Sequence, residues 1–357
     1  MVKGKIKRLL PGGNTSLGFY SYFSYVIDVK EARKIYLLKG GPGTGKSSMM
    51  KKLGNQMIEN GYDVEFHHCS ADPESIDAIV IPRIKVAVLD ATSPHMIDPK
   101  YPGAIEKIIN LGEYWEEKKL EKNKENIILS IGENSNIYKR TYRLLAAAKI
   151  IHDDIEWIYS QAMDFHKVNQ WTNGIIDRFF GNIKNIDKIP KERHLFGSGY
   201  THLGHIDFIE TYMEVVENIY YIKGGPGTGK STLLNKIILN VTEKGYNVEI
   251  YHEPLEPNKI ENILVPELNL GFSTNSKYKD KEKLDLGNFL DMNKVHKYTK
   301  ELDYSEKLFK ELIDNVADSL QKSKKNHDII ENYYVGNLDF KQIDEVREKI
   351  LTEILNF

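Results

Sequence analysis

One nine-residue string, Lys-Gly-Gly-Pro-Gly-Thr-Gly-Lys-Ser, occurs twice in the sequence, at residues 39–47 and at residues 223–231. Both copies fit the pattern G-x-x-x-x-G-K-[ST]. Glycines in such a loop allow close approach and positive φ angles, so that successive backbone N–H groups converge on one concavity and hold phosphate oxygens. The pattern therefore predicts two sites for a nucleoside triphosphate.

The polar residues at the end of each string predict the rest of the chemistry. Lys46 and Lys230 would reach the terminal phosphates, and the hydroxyl groups of Ser47 and Ser231 would bind Mg²⁺. The following helix would direct the positive end of its dipole at the same oxygens. The predicted nucleotide-binding residues are Gly40, Gly41, Pro42, Gly43, Thr44, Gly45, Lys46, Ser47, Ser48, Gly224, Gly225, Pro226, Gly227, Thr228, Gly229, Lys230, Ser231 and Thr232.

Each string has the flanking pattern that such a loop requires. Short apolar runs at residues 35–38 and 219–222 predict buried parallel strands that lead into the loops. Apolar residues at helical spacing follow each loop, and Gly61 and Gly245 predict the ends of these two helices. The helical stripes are Met49, Met50, Leu53 and Met57 in one copy and Leu233, Leu234, Ile237 and Val241 in the other.

The duplication extends far beyond the loops. Residues 61–68 match residues 245–252 as an alternating second strand, and residues 111–114 match residues 286–289 after a shorter connection in the second copy. We therefore predict two copies, residues 1–187 and residues 188–357. Each is expected to have a strand, loop, helix, strand, strand core and a helical appendage, with a parallel sheet in the α/β class.

Composition sets limits on location and partners. With 357 residues the chain can bury two cores, and its net charge of −2 gives no electrostatic reason to expect nucleic acid. The lone Cys69 excludes an internal disulfide and a multi-cysteine zinc site. The interrupted start at residues 11–13 does not fit a signal peptide, and no uncharged apolar run is long enough for a membrane span. A cytoplasmic protein without a membrane partner is expected.

An acid at the end of a third strand predicts asymmetry between the copies. The apolar run at residues 86–89 ends in Asp90, which is typical of a Walker-B carboxylate that holds Mg²⁺; the alternative is an Asp that caps the following turn. The matching residues 270–275 contain no acid. The second site is therefore expected to bind nucleotide but to hold Mg²⁺ less firmly and to hydrolyse poorly.

Other candidate catalytic groups are less specific. His95, Asp72 and Glu74 lie on predicted loops at strand ends and could orient water, or be solvated loop residues. Arg140 and Arg143 lie on a predicted helix that could fold over the site, which keeps a small-molecule or nucleotide kinase open as an alternative function.

A His-Asp-x-x-Glu-x-x-Tyr pattern recurs at residues 152–159 and 327–334. Its default interpretation is a helix shoulder with an i, i+4 pair. The recurrence also fits a shared role, such as packing against the loop or against the other copy.

Together, the two loops, residues 90–95 and 98–103, and the two recurring helix patterns resemble an uncharacterised bacterial family of duplicated P-loop ATPases. The loop alone is also similar to that of AAA+ ATPases. The resemblance implies ATP binding and hydrolysis, and no macromolecular partner comes with it.

The sequence favours an ATP-binding protein, a Mg²⁺-dependent ATPase that acts as a switch or motor, with Lys46, Asp90 and His95 as catalytic residues. A non-catalytic nucleotide sensor is a further alternative. ATP is preferred over GTP because no Asn-Lys-x-Asp sequence occurs; the nearest string, residues 258–261, ends in glutamate. Pairing of the two copies within one chain and a homo-oligomer both remain open.

Overall fold

Two six-stranded sheets, one from each half of the sequence, form the centre of the fold. The computed structural model describes residues 2–93 and 96–357. Below, the first half means residues 1–187 and the second half residues 188–357.

The strands of the first half are β1 (Ile6–Leu9), β2 (Gly12–Thr15), β3 (Gly18–Ser21), β4 (Lys34–Lys39), β5 (Val64–His68), β6 (Ile76–Ile81), β7 (Val86–Asp90) and β8 (Glu106–Asn110). Those of the second half are β9 (Glu192–Phe196), β10 (Ser198–Thr201), β11 (Gly204–Asp207), β12 (Asn218–Lys223), β13 (Val248–His252), β14 (Ile260–Val265), β15 (Leu270–Ser273) and β16 (Glu282–Asp285). The α-helices are α1 (Lys46–Glu59), α2 (Glu117–Lys122), α3 (Lys124–Ala162), α4 (Phe165–Phe180), α5 (Ile209–Met213), α6 (Lys230–Glu243), α7 (Met292–His296), α8 (Thr299–Val335) and α9 (Phe340–Leu355). Short 3-10 turns lie at Phe23–Tyr25, Pro82–Ile84, Leu111–Tyr114, Pro266–Leu268, Ser276–Tyr278 and Leu286–Phe289.

The two sheets have the same strand order. The first sheet runs β1-β5-β6-β7-β4-β8, and the second runs β9-β13-β14-β15-β12-β16. The predicted strands before each loop and the predicted helices after it are present as β4, β12, α1 and α6. The mixed α/β class is thus confirmed.

The predicted parallel sheet is found for most of the strands, but one strand in each half runs antiparallel to its neighbours. β6 runs antiparallel to both β5 and β7, and β14 does the same between β13 and β15. The physical reason is the length of the connections, since a parallel crossover needs about a dozen residues or more. Residues 69–75 and the single turn Pro82–Ile84 are too short for one, so the chain must reverse direction twice.

The helical appendages are exchanged between the halves. The helix α9 at the end of the second half buries Ile343, Ile350 and Ile354 in the core of the first sheet. In return, α4 of the first half packs Val168 and Ile175 into the core of the second sheet. Each core is therefore completed by a helix from the other half.

The long helices α3 and α8 connect the two cores as an antiparallel pair. Thr141 and Ser319 share a hydrogen bond of 2.7 Å inside this pair, and Ser305 donates to Asp154 at 3.0 Å. Thr141 contacts Ser319, whereas the later residue Asp154 contacts the earlier residue Ser305. The end of α3 therefore lies beside the start of α8.

A buried ionic network joins the edges of the two sheets. Arg193 on β9 donates two hydrogen bonds to Glu65 on β5, at 2.9 and 2.6 Å. Lys7 on β1 donates to Glu249 on β13 at 2.6 Å. Burial opposes ionisation of Glu65, but the Arg193 guanidinium and the Lys7 ammonium hold the pKa of that carboxyl well below its usual value.

Candidate functional site

Each predicted phosphate loop lies between a central strand and a helix. In the first loop, Gly43 and Gly45 have φ angles of +69° and +79°, and α1 begins at Lys46 directly after them. In the second, Gly227 and Gly229 have φ angles of +69° and +95° before α6. No side chain caps the first turn of α1 or α6, so their first backbone N–H groups point at the loop concavity without a side-chain acceptor.

The structure brings Lys46 and Asp90 together at the first loop. β7 lies beside β4, with Asp90 paired to Leu38, so the carboxylate emerges next to the loop that follows β4. The Lys46 ammonium lies 3.5 Å from the Asp90 carboxylate and donates to the carbonyls of Gly40 and Gly41 at 2.6 and 2.9 Å. Burial raises the pKa of Asp90, and the Lys46 charge opposes that shift.

Asp90 also makes the local contacts expected of a turn-capping residue. One of its carboxylate oxygens accepts hydrogen bonds from the Thr92 backbone N–H at 2.9 Å and from the Thr92 hydroxyl at 2.5 Å. The other oxygen faces Lys46. The two roles weighed for this acid therefore use different oxygens of the same carboxylate.

The two loop hydroxyls have equivalent surroundings. The Ser47 oxygen accepts from the backbone N–H of Ile76 at 2.9 Å, and the Ser231 oxygen accepts from that of Ile260 at 3.0 Å. These bonds fix each hydroxyl at the start of the reversed strand. The neighbouring Ser48 and Thr232 are exposed in the first helical turn.

The second loop repeats the lysine geometry without the Asp. Lys230 donates to Gly224 and Gly225 at 2.8 and 2.6 Å. β12 and β15 pair Tyr221 with Ser273, so that Thr274 follows where the first half has Asp90. The register thus places Thr274, which has no carboxylate, at the position that matches Asp90.

An acid that the sequence reasoning missed lies near Lys230. Glu253 directly follows β13, and its charge affects Lys230, whose pKa is lowered chiefly by burial. Burial raises the pKa of Glu253 to about 7 and that of the neighbouring Glu261 to about 8. The sequence offered one sign of this acid: Glu253 is the first residue after a predicted strand. The repeat did not support it, because the matching residue of the first half is Cys69.

The other predicted candidates are not assembled around Lys46. Asp72 accepts from its own turn residues Glu74 and Ser75, and its carboxylate lies 3.5 Å from Lys324 on α8. Glu74 is exposed, and Arg140 and Arg143 are exposed on the middle of α3. His95 lies outside the described residues.

Each loop is covered by the recurring helix pattern of the other half. A Cβ added at Gly41 would lie 3.4 Å from the Tyr334 ring, and one added at Gly43 would lie 3.1 Å from the Glu331 carbonyl oxygen. On the second loop, Cβ atoms at Gly225 and Gly227 would lie 3.4 Å from the Tyr159 ring and 2.2 Å from the carbonyl oxygen of Glu156.

The two glutamates of this pattern differ in their partners. His327 lies 3.5 Å from Glu331 and lowers its pKa, and the backbone amide of Gly43 acts in the same direction. Glu156 has a similar histidine, His152, at 3.8 Å, and it also accepts from Lys259 at 2.5 Å. The glutamate at the second loop is thus neutralised by a lysine, whereas the one at the first loop has no such partner among the described residues.

Three acids near the second loop come within 4.8 Å of one another: Asp153, Glu156 and Glu256. Lys149 donates to Asp153 at 2.6 Å, and Lys259 lies 2.8 Å from Glu256. These lysines already neutralise the cluster, so it gives no independent indication of a cation.

No helix within the described residues is long and apolar enough to cross a membrane. Comparison of the chain with family models, with curated proteins and with solved structures finds no match.

Proposed function

We propose that the chain binds ATP at both loops and hydrolyses it with Mg²⁺ at the first loop, and that the second loop mainly binds. The observation that supports this proposal most directly is that the Lys46 ammonium lies 3.5 Å from the Asp90 carboxylate. The two groups meet where the adjacent strands β4 and β7 end and where α1 begins. A lysine, a carboxylate and a glycine loop with positive φ angles meet there, which is the set of groups that phosphoryl transfer requires.

The residues of the first loop have separate tasks in this proposal. The backbone N–H groups of residues 41–46 hold the phosphate oxygens, and Lys46 turns from the loop carbonyls to the terminal phosphates. The Ser47 hydroxyl and the Asp90 carboxylate would hold Mg²⁺, because oxygen donors of this kind suit that ion. When bound, the ion neutralises charge on the phosphates.

The second loop supports binding more than hydrolysis. Thr274 stands in the Asp90 position. Two acids act on the charge of Lys230: Glu156 is engaged by Lys259, and Glu253 has a pKa of about 7 and is partly protonated at neutral pH. A protonated carboxyl group is a poor ligand for Mg²⁺. The loop amides and Lys230 remain available for phosphate.

The exchanged helices give the protein the character of a switch. α3 and α8 pack along each other, and the end of each one covers the loop of the other half. Phosphate bound at the Gly43 amide repels the nearby Glu331 carboxylate. That repulsion acts on α8, which is packed against the helix that covers the second loop.

Phosphate release under steady-state conditions tests the assignment. Lys46→Ala and Asp90→Asn are each expected to lower the rate by about a hundredfold, by analogy with removal of a transition-state donor. Lys230→Ala is expected to retain most of the rate. Lys223→Ala is the matched control, since Lys223 belongs to the same string but pairs with Asp285 at 2.8 Å outside the loop.

Two outcomes would contradict the proposal. Equal losses from Lys46→Ala and Lys230→Ala would remove the asymmetry between the loops. No heat of association between the intact chain and Mg·ATP in calorimetry would remove nucleotide binding altogether.

A non-catalytic nucleotide sensor is the second candidate. The observation that favours it is the position of Asp72, one of the acids predicted to orient water. Asp72 lies 3.5 Å from Lys324 and is not assembled with Lys46 and Asp90. A sensor would show a higher melting temperature with saturating ATP, through binding linkage, and no phosphate release.

A further inference from the structure

A cavity of 540 Å³ opens beside the first loop. One wall is formed by residues 113–116, which follow β8, and the other by residues between 336 and 342, at the junction of α8 and α9. The walls therefore come from different halves of the sequence. A volume of this size falls within the range of small-molecule sites.

Both walls touch the phosphate loop. A Cβ added at Gly41 would lie 3.3 Å from the Trp115 ring, and one added at Gly45 would lie 3.8 Å from the Phe340 ring. A ligand whose phosphates rest on the amides of this loop thus has the cavity within immediate reach. The walls of the cavity thus contact the loop to which the proposed function assigns the phosphates.

The lining has the chemistry of a base site. Trp115 and Phe340 offer aromatic faces, on which a planar ring can stack. Among the described residues that line the cavity there are three carboxylates and no lysine or arginine. This lining disfavours phosphate and favours a ring with N–H donors on its edge.

The polar groups differ in how far they are already engaged. Asp339 caps α9 by accepting from Lys341 and Gln342, and Glu116 pairs with Lys119. Glu113 is exposed and accepts only a long bond, 3.3 Å, from Asn110.

The Trp115 indole nitrogen is a buried donor with no hydrogen-bond partner among the described residues. This nitrogen is shielded from solvent, so the cavity is lined by other atoms of Trp115.

We propose that this cavity binds the aminopurine base of the nucleotide whose phosphates occupy the first loop. The inference rests on the proposed function. Trp115 and Phe340 stack on the ring, and Glu113 accepts from the exocyclic amino group. Adenine offers both the planar ring and the amino group.

The surroundings of the second loop lack most of the equivalent groups. By the internal repeat, Leu290 stands in place of Trp115, Asn288 in place of Glu113 and Lys167 in place of Gln342, although Phe165 keeps the position of Phe340. The second loop is therefore expected to hold the phosphates of a nucleotide with little contribution from its base.

Calorimetry in a Lys230→Ala background isolates the first loop and separates base from phosphate. Mg·ATP is compared with Mg·tripolyphosphate, which has no base. ATP is expected to bind about tenfold more tightly or better, in line with the effect of one base–aromatic stack. Trp115→Ala should remove that advantage and leave tripolyphosphate binding unchanged, and Trp115→Phe should restore part of it.

Two further measurements test the edge contacts. Purine riboside triphosphate lacks only the 6-amino group and should bind several-fold more weakly than ATP, and Glu113→Gln should reduce this difference. Leu290→Ala, the matched change in the second half, should alter neither affinity. Circular dichroism of each variant confirms that it is folded.

The outcomes distinguish the subsite from the function beneath it. If tripolyphosphate and ATP both fail to bind, the phosphate site is refuted and the subsite with it. If tripolyphosphate binds as tightly as ATP, or if Trp115→Ala weakens both ligands alike, the base subsite is refuted while the phosphate site stands.

Discussion

Substitution of Gly227 by alanine tests whether α3 of the first half rests on the loop of the second. Gly227 has a φ angle of +69°, and a Cβ there would lie 2.2 Å from the carbonyl oxygen of Glu156 and 2.9 Å from its carbonyl carbon. Both are backbone atoms of α3, so no side-chain rotation can relieve the overlap. Gly204 is the matched control, because its φ angle is +88° and a Cβ there meets no atom within 4 Å.

The expected magnitudes follow from this difference. Both alanines must adopt a left-handed conformation, which costs about 1–2 kcal/mol. Gly204→Ala should lower the free energy of unfolding by that amount alone. Gly227→Ala must also displace a helix backbone, and overpacking of this kind costs about 1–3 kcal/mol more. Gly43→Ala should fall between them, since its nearest contact, 2.8 Å away, is the side chain of Val335.

The stability of the three variants is measured by urea unfolding without nucleotide, monitored by the circular dichroism signal of the helices. The midpoint should fall most for Gly227→Ala and least for Gly204→Ala. Equal losses from Gly227→Ala and Gly204→Ala would refute the close packing of α3 on the second loop. They would leave only the cost of the positive φ angle.

Three other predictions use charged or titratable side chains. Glu65→Gln removes the carboxylate that accepts two hydrogen bonds from the half-buried Arg193 and leaves Glu249, at 3.6 Å, as its remaining acidic partner. The variant should lose about 1–3 kcal/mol of stability in urea unfolding; an unchanged midpoint would contradict this. Burial lowers the pKa of His252 to about 4, so the unfolded chain binds more protons between pH 6.5 and 4, and stability should fall as the pH decreases through that window. His252→Gln should flatten that slope, and an unchanged slope would assign it to other groups. Glu331→Gln should tighten Mg·tripolyphosphate binding at the first loop a few-fold by removing a negative charge close to the loop, as titration calorimetry would measure. The charge of Glu156 is neutralised by Lys259, so Glu156→Gln should tighten binding at the second loop by less. Equal effects would contradict this difference between the two glutamates.

Local sequence pattern was enough for the elements around each loop. The glycine string, the apolar run before it and the stripe after it specify strand, loop and helix within about 25 residues, because strand and helix periodicity act between near neighbours. The same locality placed Asp90 at the end of a strand. The register between β4 and β7 then brought it to Lys46.

Contacts between distant segments were decided only by the tertiary structure. The reversed strand β6 could have been inferred from its short connections, but the position of α4 could not. The helix α3 has 39 residues and, at about 1.5 Å per residue, is close to 60 Å long. It therefore carries α4 away from the first sheet and onto the second, while α8 carries α9 the other way.

The sequence by itself determined two glycine-rich loops, their flanking elements and the difference between Asp90 and Thr274. The tertiary structure alone decided that Glu331, Tyr334 and Phe340 lie at the loop of the other half, and that Trp115 and Phe340 line one cavity. The physical reason is that repeat and periodicity describe each half separately. The length and antiparallel packing of α3 and α8 determine which half each end reaches.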